Sequence, residues 1–128
     1  MSTEFTPVTQ EILEADIKNY LKKRELFFEP VNIEILIDHA GKSFSFHDLT
    51  TLDDLTIQSL IRNINNDTLL IALQGANGDV LEKFFFNMGR RSAQILVEDL
   101  PMMEGLDVED IKEAQLSILG EFKKLEHE

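Results

Sequence analysis

Thr68-Leu69-Leu70-Ile71-Ala72-Leu73-Gln74-Gly75-Ala76-Asn77-Gly78-Asp79-Val80-Leu81-Glu82-Lys83-Phe84-Phe85-Phe86-Asn87-Met88 is the stretch on which the fold class turns. Residues 68–76 read as one apolar helix, with Leu69, Leu70, Ile71, Ala72 and Leu73 in succession. Asn77-Gly78 breaks it, and Asp79 is expected to cap the next helix. There Val80, Leu81, Phe84 and Met88 recur at helical spacing and form a buried stripe. Phe86 lies off that stripe and meets either another helix of the chain or a partner.

Downstream, Gly89 separates this helix from one spanning about Arg90 to Met103. Glu104-Gly105 ends it, and Asp107 caps a last helix reaching about Leu125. The stripe of that helix is Ile111, Ala114, Gln115, Ile118, Leu119 and Phe122. Upstream, Asn65-Asn66-Asp67 is a turn and cap. Leu49, Leu52, Leu55, Leu60, Ile61 and Ile64 mark one short helix and one longer one, with the helical pattern starting at Phe44. Ala40-Gly41-Lys42 is a break. Residues 31–37 fit two templates: Val31, Ile33, Ile35 and Ile37 alternate as in a strand, while Ile33, Leu36 and Ile37 fit a helix face. One strand has no evident partner, so helix is the expectation. Thr6-Pro7 is a cap and first-turn signal, and a helix is expected over 8–25, with Lys22, Lys23 and Arg24 near its C-terminal end. Short helices with tight connections give an all-α, compact multi-helix bundle carrying an extra N-terminal helix.

Bulk composition narrows the function. The 128 residues are 43% apolar, which suits one globular domain. No apolar run reaches 18 residues, and Met1 to Phe5 lack the pattern of a signal peptide, so a cytoplasmic protein is expected. Absence of Cys excludes disulfides and thiolate metal sites. Acidic residues number 24 against 12 basic, a net charge of −12. That balance argues against nucleic acid and anionic lipid, and favours protein partners with basic surfaces.

Chemistry-bearing motifs are missing. Ala40-Gly41-Lys42-Ser43 resembles the end of a phosphate-binding loop, but the required upstream Gly position holds Leu36. His39 and His47 each neighbour an Asp, and adjacent helical residues diverge by about 100°, so neither pair converges on a metal. Asp53/Asp54, Glu98/Asp99 and Glu109/Asp110 are sequence neighbours rather than opposed carboxylates; Asp53/Asp54 suits a helix start. No catalytic, cofactor or metal site is assigned, and the chain reads as a non-enzyme.

The helix from Arg90 is the candidate site. Ala93, Leu96, Val97 and Leu100 fall at i, i+3, i+4, i+7 and face the core. Arg91, Ile95 and Glu98 share the opposite stripe, with Asp99 beside it, so a cation, an apolar side chain and two anions stand in a row.

Phe44-Ser45-Phe46-His47-Asp48-Leu49, then Leu52-Asp53-Asp54-Leu55-Thr56-Ile57-Gln58, resemble the MFxF hinge and the "DLxxLDDRxIQ" phrase of the C-terminal domain of the flagellar rotor protein FliG. Residues 68–76 resemble its "LALALKGA", 81–88 its "REKFLxNMS", 91–100 its "RAAxxLxEDL" and 108–119 its "DVEEAQxxIL". The resemblance covers about residues 42–126. It implies an armadillo-like helical domain at the cytoplasmic rim of the flagellar basal body, whose charged ridge meets the stator's cytoplasmic loop and transmits torque. Carried over, the ridge is Arg91, Glu98 and Asp99, with Ile95 among them; Gln74, Phe86 and Asp107 form a secondary set of candidate contacts.

The chain departs from the family where Gln74 replaces the usual Lys of "LKGA", where Asp107 replaces a further ridge Arg, where Ser43 replaces the hinge Met, and where the turn at 103–106 lacks its Pro. The family's membrane-ring-binding domain and its EHPQ-bearing middle domain do not fit within residues 1–41. The expected organisation is an N-terminal helix and connecting segment over 1–41 and a FliG C-terminal-like domain over 42–128, a short stand-alone or diverged homologue. The implied partners are the stator loop or other rotor and switch proteins, with oligomers open. A structural adaptor of the same fold acting outside the motor is the alternative.

Overall fold

The computed structural model describes residues 15, 18–20, 22, 23, 30–36, 41–102 and 106–126. Of the N-terminal helix expected over 8–25, the described residues 15, 18–20, 22 and 23 are helical, and Tyr20 packs against the core; the rest of it lies outside the described residues, as do the turn at 103–105, His39 and His127.

Residues 31–36 correct the sequence reading of 31–37, and Ile37 lies outside the described residues. Glu34–Leu36 is a strand, β1, paired antiparallel with a second strand, β2, at Ser43–Ser45, in register Glu34↔Ser45, Ile35↔Phe44, Leu36↔Ser43. Helix was expected because no partner strand was evident. The partner is three residues of which two are serine, too short and too polar to show strand periodicity. Gly41, at φ 89°, occupies the left-handed region two residues before β2. Helical structure starts at Phe46, not Phe44, as a 3-10 turn over Phe46–Thr51.

Five α-helices follow: α1 Asp54–Asn63, α2 Asn66–Leu73, α3 Gly78–Phe85, α4 Arg90–Asp99, which runs into a 3-10 turn at Leu100–Met102, and α5 Val108–Glu126. The chain is thus mostly helical, and the hairpin is its one departure among the described residues. Caps set the phases. Asp53 accepts from Thr56 N, Asn65 from Thr68 N and Asn77 from Val80 N. Asn77, not Asp79, therefore caps α3. Asp53 starts α1 so that Ile57 and Leu60 point inward and Leu55 is 72% exposed, contrary to its expected place on the stripe.

The core lies between α2 and α5, roofed by α1, α3 and the hairpin. All six stripe residues of α5 are buried. Phe44 stacks on Phe122 at 4.5 Å, and Phe46 lies parallel to Phe84 at 6.4 Å. Gln115 sits fully buried among these apolar groups because its amide grips the segment before β1: Oε1 accepts from Ile33 N (3.1 Å), and Nε2 donates to Val31 O (2.8 Å) and Ala72 O (3.3 Å). Val31 N completes the clamp on Gly75 O at 3.0 Å. A Cβ on Gly75 would lie 2.7 Å from Val31 Cβ and 2.9 Å from Ile111 Cγ2, so this close crossing requires glycine. Among the described residues every buried side-chain nitrogen and oxygen has a hydrogen-bond partner.

Candidate functional site

α4 presents the two faces its spacing predicted. Ala93, Leu96 and Leu100 are buried and Val97 half-buried. Arg91, Ile95, Glu98 and Asp99 are all exposed, Ile95 by 48%. The ion pairs among the described residues are Lys83–Asp54, Lys112–Glu109 and Lys124–Glu121. None touches α4, so Arg90, Arg91, Glu98 and Asp99 have no ion-pair partner there.

Their order along the helix is informative. Cations favour a helix C-terminus and anions its N-terminus, by about 0.3–1 kcal/mol each at low ionic strength. α4 carries Arg90 and Arg91 at its start and Glu98 and Asp99 at its end, the reverse order. Gly89 is its N-cap and supplies no side-chain acceptor. These charges do not serve the stability of their own helix.

Both ends of α4 are held from outside. Before it, Asn87 fixes the α3–α4 turn: Gln58 Nε2 donates to Asn87 Oδ1 (3.1 Å), and Asn87 Nδ2 donates to Asp54 Oδ1 (3.1 Å) and Lys83 O (2.8 Å). The Asn87 amide, followed by the Lys83 ammonium, pulls the Asp54 carboxyl below the ordinary carboxylate range. A surface cavity of about 260 Å³ opens beside this turn, lined by Gln58, Arg62, Asn66, Asn87 and Ser92 among others. After α4, Gln74 Nε2 donates to Leu100 O at 2.9 Å.

The secondary set therefore divides. Gln74 is half-buried and engaged with Leu100. Phe86 is half-buried and packs against the core, the within-chain alternative of its sequence reading. Asp107 is exposed, and its Oδ1 accepts from Glu109 N (3.3 Å), capping α5 as expected. His47 also belongs to the frame: its Nε2 accepts from Asn77 N (3.4 Å), and burial lowers its pKa. No described cluster of three or more His, Asp or Glu could hold a metal ion.

The family model of the FliG C-terminal domain matches residues 38–128. This chain belongs to the FliG C-terminal domain family. The flagellar motor switch protein FliG of Thermotoga maritima is 35% identical over 95 residues, covering 74% of this chain and 28% of that protein. FliG of Vibrio cholerae is 38% identical over 114 residues, covering 83% and 32%. The chain thus spans about a third or less of the length of these relatives. A crystal structure of FliG residues 116–343 from H. pylori superposes with a TM-score of 0.65, covering 98% of this chain and 57% of that one at 20% identity, a likeness of fold.

Proposed function

We propose that this FliG domain acts in the flagellar rotor by contact rather than by catalysis, and that the outward face of α4 is its contact surface. The observation that carries this reading is the row Arg91, Ile95, Glu98 and Asp99: exposed, unpaired among the described residues, and ordered against its own helix dipole. The stator's cytoplasmic loop is the partner this row suits. Individual exposed pairs contribute less than about 1 kcal/mol, so the charges act through steering and register rather than through affinity. The protein would then sit at the cytoplasmic side of the basal body.

We propose that the domain includes residues 31–33 and not only 42–128, because Val31 and Ile33 hydrogen-bond to Gly75 and Gln115. The test is deletion of the gene in its own organism, complemented with wild type, Arg91→Glu or Glu98→Lys, with flagella counted and single-motor rotation recorded. Loss of rotation on deletion, restored by wild type and weakened by both charge reversals, supports the reading. Normal rotation in the deletion strain would favour an adaptor outside the motor.

A further inference from the structure

We infer that Gln74 is a positioning residue for the charged row rather than a member of it. Its main chain closes α2 as the C-cap, with its N–H bonded to Ile71 O and Ala72 O. From there the side chain crosses to a second helix end, 26 residues on, and its amide N–H bonds to the Leu100 carbonyl. Gln74 thus latches the C-terminal end of α4 to that of α2.

The α4 end needs such a latch for three reasons. The last carbonyls of a helix lack donors within the helix, and Leu100 is the C-cap. The next residue is Pro101, which has no N–H to extend the ladder. Proline also disfavours helical backbone in the residue before it, yet Leu100 is held at φ −52°, ψ −47°. Burial of the Leu100 side chain in the core helps to hold that conformation, and among the described residues the side-chain donor to its carbonyl is Gln74 Nε2. Glu98 and Asp99 stand two and one residues before this point, so fraying there displaces the anionic end of the row.

This inference rests on the function proposed above, and two separate readouts keep the two apart. The first is hydrogen exchange on the full chain, comparing wild type with Gln74→Glu, Gln74→Leu and Gln74→Lys. Glutamate keeps the shape but loses the donor, leucine loses all polarity, and lysine keeps an N–H donor. Exchange over Leu96–Met102 is expected to rise about fivefold in the Glu and Leu variants, to stay near wild type in the Lys variant, and to be unchanged over Ile111–Phe122 in all three. An equal rise in every segment would mean a general packing role and overturn the inference, as would no rise in Gln74→Glu. The second readout is single-motor rotation in the complemented deletion strain. Gln74→Glu is expected to weaken rotation as Glu98→Lys does, with Gln74→Lys restoring it. If Glu98→Lys matters and Gln74→Glu does not, positioning fails. If neither charge reversal matters, the proposed contact row fails, and hydrogen exchange alone then decides whether Gln74 holds the helix end.

Discussion

α5 and α4 are both amphipathic helices on one core, but their charges answer to different demands. α5 has Glu109 and Asp110 in its first turn and Lys123 and Lys124 in its last, the order the helix dipole favours. Its 19 residues bury an unbroken stripe from Ile111 to Phe122. α4 has 10 residues, a glycine cap and the opposite charge order. One helix is arranged for its own stability. The other depends on neighbours for its stability and leaves its charges available outward.

The largest test of this contrast is a pair of truncations. Ile118→Ala in α5 is expected to lower unfolding free energy by about 2–5 kcal/mol, whereas Ile95→Ala in α4, at an exposed site, stays within about 0.5 kcal/mol; urea titration measures both. Equal losses would break the contrast. Next, Gln115→Leu leaves the backbone groups of Val31, Ile33 and Ala72 without their amide partner, a loss of about 1–3 kcal/mol. Thermal melts should show it, together with faster exchange at Ile33.

A pH effect of smaller size follows from His47. Its folded pKa lies below the ordinary value of about 6.5, so the unfolded chain binds the proton first. The neutral-histidine contribution is complete above that ordinary value and is lost as pH falls towards the folded one. Melting temperature should therefore drop as pH is lowered through the sixes, and His47→Gln should flatten that slope. Smallest of all, Arg91→Glu combined with Glu98→Lys brings α4 into line with its dipole and should raise stability by a few tenths of a kcal/mol while weakening rotation. A double variant that loses stability would show that these charges do serve their own helix.

Helical periodicity made most of this legible. The α5 stripe is buried residue for residue, and the outward row of α4 stands where the i, i+4, i+7 spacing placed it. Tertiary geometry hid the rest. The β2 strand was illegible because Ser43 and Ser45 carry no strand signature around Phe44. The cap of α3 was misplaced by two residues because Gly78, read as a breaker, lies inside the first turn. The role of Gln74 was invisible because its acceptor is a main-chain carbonyl on a different helix, and no side-chain pattern marks such a bond.

The Gln115 clamp has a consequence for synthesis. Its bonds to Ile33 and Val31 join residues 82 and 84 positions apart. A nascent chain therefore exposes the β-hairpin and its lead-in well before the residue that holds them has been translated. Until α5 emerges, Val31 lacks its amide partner and α2 lacks its apolar neighbour. The first of these segments to be made is among the last to be fixed, and a ribosome stalled before residue 115 would hold a chain whose early strand is complete in sequence and unanchored in space.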